Sequence, residues 1–153
     1  MKTILFVCTG NTCRSSMAEA IFKELIKEID GYGDIKVLSG GTYAVQGQKA
    51  SKNAVDALKE KNIDLSSHRS KPLTKEMVEE ADLILTMTKN HKLQIINAMP
   101  HVKERVHTLK EFAHGNMETI DISDPYGGNI EVYKSCFHEI ENALKDVIEK
   151  YYK

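Results

Sequence analysis

The sequence predicts an α/β fold with a central four-stranded parallel sheet and helices on both faces. Three observations predict it. Short apolar runs alternate along the chain with stretches whose apolar residues recur at helical spacing. The first run, Ile4-Leu5-Phe6-Val7, is continuous rather than alternating, as expected of a strand covered on both faces. No repeat, low-complexity tract or long linker divides the 153 residues, so one domain over 1–153 is expected.

Each element follows from local pattern. After the first strand and a Gly-containing turn, Met17, Ala18, Ile21, Phe22, Leu25, Ile26 and Ile29 share one helix face. Lys23, Glu24, Lys27 and Glu28 are left for solvent, and Asp30-Gly31-Tyr32-Gly33-Asp34 ends the helix with turn residues. Ile35 to Leu38 reads as the second strand, followed by a loop at Gly40 and Gly41. Ala50 to Lys61 forms the next helix, with Ala54, Val55 and Leu58 inward. Thr74 caps a short helix running through Ala81. Leu83 to Met87 is the third strand, Lys89 to Ala98 a helix, and Arg105 to Leu109 the fourth strand. The last helix begins near Asn129 and carries Tyr133, Cys136, Phe137, Ile140, Leu144, Val147 and Ile148 at helical spacing. Right-handed crossovers place the loop after the first strand at the carboxyl end of the sheet, where such folds bind ligands.

Composition narrows the function classes. Lys and Arg number 21 against 22 Asp and Glu, a net charge of −1. That balance argues against a broad basic surface for nucleic acid and against a polybasic membrane anchor. No apolar run approaches the ~18–20 residues of a membrane helix. Met1 to Cys8 lacks the longer apolar stretch and cleavage site of a signal peptide, so a cytoplasmic chain is expected. Three cysteines, Cys8, Cys13 and Cys136, are too few and too odd in number for a secreted disulfide framework. A reducing compartment is expected, and a reactive thiol becomes worth seeking.

The chemistry concentrates in Cys8-Thr9-Gly10-Asn11-Thr12-Cys13-Arg14-Ser15, which leaves a buried strand and enters an amphipathic helix. Such a turn aims main-chain N–H groups at one point, making an anion nest at a helix N-terminus. Gly10 relieves the turn sterically, and Asn11 tolerates unusual dihedrals. A thiol at position 8 feels those N–H groups, the helix dipole and Arg14 together, and all three favour the thiolate. Arg14 offers a planar fork matched to two oxygens of a tetrahedral anion. Ser15 can give its hydroxyl proton to the sulfur. Without this context, a buried strand-end Cys is more often inert packing than a nucleophile, Arg14 a surface charge and Ser15 a helix cap. Cys8 and Cys13 have no second pair at zinc-like spacing, so no metal and no cofactor are expected.

Cys8 to Ser15 resembles the Cys-x5-Arg-Ser signature of the low-molecular-weight protein tyrosine phosphatases. The likeness continues through Met17-Ala18-Glu19-Ala20, Ser39-Gly40-Gly41-Thr42, Ser67-His68-Arg69 and Asp124-Pro125-Tyr126-Gly127, over essentially the whole chain. The resemblance implies Cys8 as nucleophile, Arg14 with the amides of Thr9 to Ser15 as phosphate cradle, and Asp124 as general acid. On residue type alone, Asp124-Pro125-Tyr126-Gly127-Gly128 would pass for a turn. The resemblance also implies that Asn11 shapes the loop and that Ser39 and His68 hold it. Related enzymes pair the cysteines matching Cys8 and Cys13, which implies a protective reversible disulfide. Cys136 belongs to an apolar stripe and reads as core.

Thr12 and Gly127 depart from the tyrosine-directed pattern, which often carries Ile at the first position and a second aromatic at the second. The string Cys8 to Arg14 and the pair Gly127-Gly128 are closest to the bacterial protein-arginine-phosphatase branch, where the loop Thr is associated with phosphoarginine. The implied function is hydrolysis of phosphoarginine in proteins through a phosphocysteine, with Thr12 and Tyr126 as the substrate wall. A tyrosine phosphatase is the alternative. An arsenate reductase on the same scaffold would need further relay cysteines, and the segment 82–87 has none. A phosphate carrier of a sugar-transport system would have little use for Arg14 with a distant acid, and a silent phosphopeptide-binding domain would need neither nucleophile nor acid. The implied partners are phosphorylated proteins, with inorganic phosphate as product, and the chain is expected to be a monomer or weak dimer.

Overall fold

The computed structural model describes residues 2–115 and 120–153. Four strands, β1 (Thr3–Cys8), β2 (Lys36–Gly41), β3 (Leu83–Thr86) and β4 (Val106–Thr108), form one sheet in the order β2-β1-β3-β4. Every neighbouring pair is parallel. Strand β1 is central, and Ile4 to Val7 have no exposed surface. Alternation along β1 divides the interior. Ile4, Phe6 and Cys8 join the larger apolar cluster on one face, and Leu5 and Val7 join the smaller cluster on the other.

The larger cluster is closed by α1 (Arg14–Leu25), α2 (Lys52–Lys59), α5 (Leu109–His114) and α6 (Ile130–Tyr151). Its aromatic centre is Phe6 edge-on to Phe22, with ring centroids 5.6 Å apart. Fully burying such side chains stabilises the fold by about 1.5–3 kcal/mol each. The smaller cluster lies under α3 (Lys75–Glu80) and α4 (Lys89–Ala98). Thr74 and Thr88 cap those two helices, accepting the N–H groups of Met77 and His91.

The structure trims most of the expected elements by a residue or two at their ends, and it extends β2 through Gly40 and Gly41, which the sequence reading placed in a loop. Strand β4 stops at Thr108 instead of Leu109, because Thr108 opens α5 with a capping box. Its hydroxyl accepts the Glu111 N–H, and the Glu111 carboxylate accepts the Thr108 N–H. The first helix closes at Leu25 and tightens into a 3₁₀ turn, Ile26–Glu28, before Gly31 takes a left-handed φ of 77°. A 3₁₀ stretch at Pro100–Arg105, with Pro at its start, also goes beyond the sequence reading.

Parallel register brings Cys8 opposite Gly41 and Val7 opposite Thr86. Three strands thus end together, and the loop from β1 to α1 rises at that edge.

Candidate active site

The loop after Cys8 is held from outside by its carbonyls. Those of Cys8, Thr9 and Thr12 accept main-chain N–H groups of Thr42, Tyr43 and Ser51 at 2.9–3.0 Å. The carbonyl of Asn11 takes the Nε2–H of His68 at 2.7 Å. A trans peptide points its N–H opposite to its C=O, so the amides of Thr9, Gly10, Thr12 and Cys13 are left on the loop's other side. The first-turn amides of α1 have no acceptor a turn back and join them. This close seat requires glycine at 41. A Cβ there would stand 2.4 Å from the Thr9 carbonyl oxygen and 3.1 Å from the Asn11 nitrogen.

Asn11 is the loop's fixed point. It is fully buried and has a φ of 57°, unusual for a residue with a side chain. Such a conformation costs about 1–3 kcal/mol. Its Nδ2 donates to Ser15 Oγ at 2.8 Å and to Ser39 Oγ at 2.9 Å, and its Oδ1 accepts the Lys71 N–H at 3.0 Å. At about 0.5–1.5 kcal/mol each, these bonds with that of His68 offset the strain. Ser39 in turn donates to the carboxylate of Glu19, which is paired with Lys23.

Cys8 is 3% exposed. Its Sγ lies 2.8 Å from Ser15 Oγ and accepts the Asn11 N–H at 3.3 Å. Because Ser15 Oγ already accepts from Asn11, its own proton is free for the sulfur, and both contacts suit a thiolate. Arg14, 6% exposed, donates through Nη1 to the Ile122 carbonyl at 2.9 Å, and its Nη2 stands 3.7 Å from Asp124 Oδ2. The segment ahead of α6 therefore delivers Asp124 to the loop. Asp124 Oδ1 accepts the Tyr126 N–H at 3.0 Å, and Gly127 completes the turn with a φ of 80°.

An open cleft of about 590 Å³ lies here, bordered by Thr9, Arg14, Tyr43, His91, Asp121 and Asp124 among others. Thr12 is half-buried, and Tyr126 projects into solvent at 81% exposure. The sequence reading missed Tyr43, an exposed aromatic on the rim, and His91, whose only sequence signal is its place three residues after a capping Thr. It also left Glu19 without a role, although Glu19 lies in a segment it quoted.

Cys13 is buried with its Sγ 3.4 Å from both Ser51 Oγ and Tyr133 Oη. Burial, reinforced by the contact with Cys13, pushes the Tyr133 hydroxyl up to about 12. Cys136 is packed in α6, where burial, with Glu139 adding, pushes its thiol up to about 12 and leaves it a poor nucleophile. Among the described residues no group of three or more His, Cys, Asp or Glu is placed to hold a metal ion, and no helix is long and apolar enough to cross a membrane.

A family model described as low molecular weight phosphotyrosine protein phosphatase matches residues 3–153. The chain belongs to that family. As a low-molecular-weight phosphatase it is 46% identical over 147 residues to the protein-arginine-phosphatase of Bacillus subtilis (strain 168), covering 96% of this chain and 95% of the relative. It is 35% identical to EpsP of Ralstonia nicotianae, a probable low molecular weight protein-tyrosine-phosphatase, over 94% of this chain and 92% of the relative. Among solved structures, a YwlE mutant from Bacillus subtilis superposes with a TM-score of 0.92 at 42% identity, over 100% of both chains. A YwlE arginine phosphatase whose cysteine-to-serine mutant has a phosphorylated active-site serine superposes with a TM-score of 0.88 at 42% identity, over 97% of each. This phosphatase is thus a cysteine-dependent hydrolase with the four-stranded parallel sheet of its relatives.

Proposed function

We propose that this phosphatase hydrolyses phosphoarginine in proteins through a phosphocysteine at Cys8. Two observations support the chemistry: the Ser15 hydroxyl stands 2.8 Å from Cys8 Sγ, and the Arg14 guanidinium, six residues on in the same loop-helix segment, stands 3.7 Å from Asp124. Cys8 Sγ attacks phosphorus in line, a sulfur–phosphorus bond forms, and the bond to the guanidino nitrogen breaks. Arg14 and the loop amides take up the charge of the equatorial oxygens. Asp124 protonates the departing nitrogen, then as carboxylate removes a proton from the water that attacks phosphocysteine. Phosphate leaves and the Cys8 thiolate is regained.

Thr12 and Gly127 support arginine as the substrate residue, as does the likeness to a relative that bears that activity in its name. A hydroxyl at position 12 engages polar groups around a guanidinium, which an Ile methyl cannot. The exposed rings of Tyr43 and Tyr126 stack as well on a guanidinium plane as on a phenol, so they do not separate this reading from the second, a tyrosine phosphatase. Catalytic efficiency on matched phosphoarginine and phosphotyrosine peptides separates the two. The wild type is expected to favour phosphoarginine, and Thr12→Ile to shift the ratio toward phosphotyrosine by about ten- to a hundredfold. A wild type that strongly favours phosphotyrosine overturns the arginine assignment.

Three unpaired cysteines and a nucleophilic thiol fit a reducing, cytoplasmic setting. Cys13 is proposed to protect Cys8 by a reversible disulfide. Mild peroxide followed by mass spectrometry is expected to yield a Cys8–Cys13 bond that a thiol reductant removes. Sulfonic acid at Cys8 alone counts against that role.

A further inference from the structure

We propose that His91 is a positioning residue for this reaction: held between Thr88 and Thr9, its ring directs the Thr9 hydroxyl proton into the cleft toward the phosphoryl group. The inference rests on the phosphoryl-transfer reading of the site. His91 is 4% exposed in the first turn of α4, yet it borders the cleft beside Arg14. Both ring nitrogens are committed, Nε2 at 2.8 Å from Thr9 Oγ1 and Nδ1 at 2.9 Å from Thr88 Oγ1.

A neutral imidazole has one N–H and one lone pair, and Thr88 decides which nitrogen has which. Thr88 Oγ1 already accepts the main-chain N–H of His91 at 3.3 Å. Among the described residues, the only hydrogen-bond acceptor for the Thr88 hydroxyl proton is Nδ1. In the proposed arrangement Thr88 donates to Nδ1, Nε2–H donates to Thr9 Oγ1, and the Thr9 proton is left for the cleft that Thr9 lines. Burial and then Arg14 hold the ring pKa down to about 4 against the opposing pull of Asp121 and Asp124. The ring thus keeps the lone pair that Thr88 needs. With both nitrogens occupied, His91 has no proton to exchange with substrate. Its effect passes through Thr9, whose carbonyl also anchors the Tyr43 N–H at 2.9 Å.

The test is a double-mutant cycle on an aryl phosphate and a phosphoarginine peptide, read as kcat and KM separately. Thr9→Val and His91→Phe are each expected to lower kcat/KM by about ten- to a hundredfold, the range for one hydrogen bond to a charged group. The double variant is expected to be no worse than either alone, and His91→Gln, whose amide N–H can reach Thr9, to recover most of the loss. Multiplying losses, or a Thr9→Val enzyme equal to wild type, overturn the proposal. Ring ¹⁵N shifts of the unaltered enzyme need no variant: a neutral ring protonated at Nε2 supports the assignment, and protonation at Nδ1 overturns it. A wild type inactive on both substrates would instead sink the phosphoryl-transfer reading itself.

Discussion

Cys8→Ser is expected to lower kcat by on the order of ten-thousandfold or more on every phosphorylated substrate, the scale seen when a covalent nucleophile is removed. Serine keeps the geometry, yet its hydroxyl is a far weaker nucleophile than a thiol. Two donors that suit a thiolate, the Asn11 N–H and the Ser15 hydroxyl, face the sulfur at 3.3 and 2.8 Å. The proposed anion cradle, main-chain N–H groups and Arg14, is untouched by the change. Inorganic phosphate should therefore still bind the variant, which calorimetry can follow. Loss of turnover with binding retained assigns the sulfur to chemistry. Full turnover by Cys8→Ser would falsify the covalent route.

The second large effect belongs to Asp124. Asp124→Asn is expected to reduce kcat by about a hundred- to ten-thousandfold on phosphoarginine, the usual range for a positioned acid. A nitrophenyl phosphate, whose leaving group departs without a proton, should suffer far less. The ratio between the two substrates is the readout. Stability should hardly change, because the Asp124 side chain is 59% exposed and its pair with Arg14 spans 3.7 Å. Asparagine keeps a side-chain oxygen beside Arg14, whose Nη1 remains bonded to the Ile122 carbonyl, so a thermal scan should nearly superpose on wild type. Equal losses on both substrates would remove Asp124 from the acid's role.

Much of this molecule was legible before any coordinates. Ile4 to Val7 declared a strand covered on both faces, and its side chains do divide between two apolar clusters. The apolar stripe from Tyr133 to Ile148 marked the long last helix, and these residues are its buried face. The candidate phosphate loop was readable because its residues, Cys8 to Ser15, are consecutive. Local spacing was also decisive where it went unread: Thr108 and Glu111 form a capping box that ends β4 and starts α5.

Other parts had no local signal. His91 looks like any histidine in a helix until its ring is seen between hydroxyls from Thr88, at its own helix's cap, and Thr9, on a loop 82 residues away. Gly41 reads as a loop glycine, yet the Thr9 carbonyl is what forbids a side chain there. Glu19 gains its meaning only through Ser39, across the junction of α1 and β2.

By itself the sequence determined the strand–helix order apart from α5, the family, and the identity of the loop that holds Cys8 and Arg14. Those properties follow from residue spacing over a few turns or strands, where periodicity and turn chemistry act. Only the tertiary structure decided that Asp124 stands 3.7 Å from Arg14, and that the Lys71 N–H joins Ser39 and His68, which the resemblance had named, in holding Asn11. Hydrogen bonds and ion pairs act over a few ångströms in space, whatever the separation along the chain, so parallel register and helix packing choose those partners.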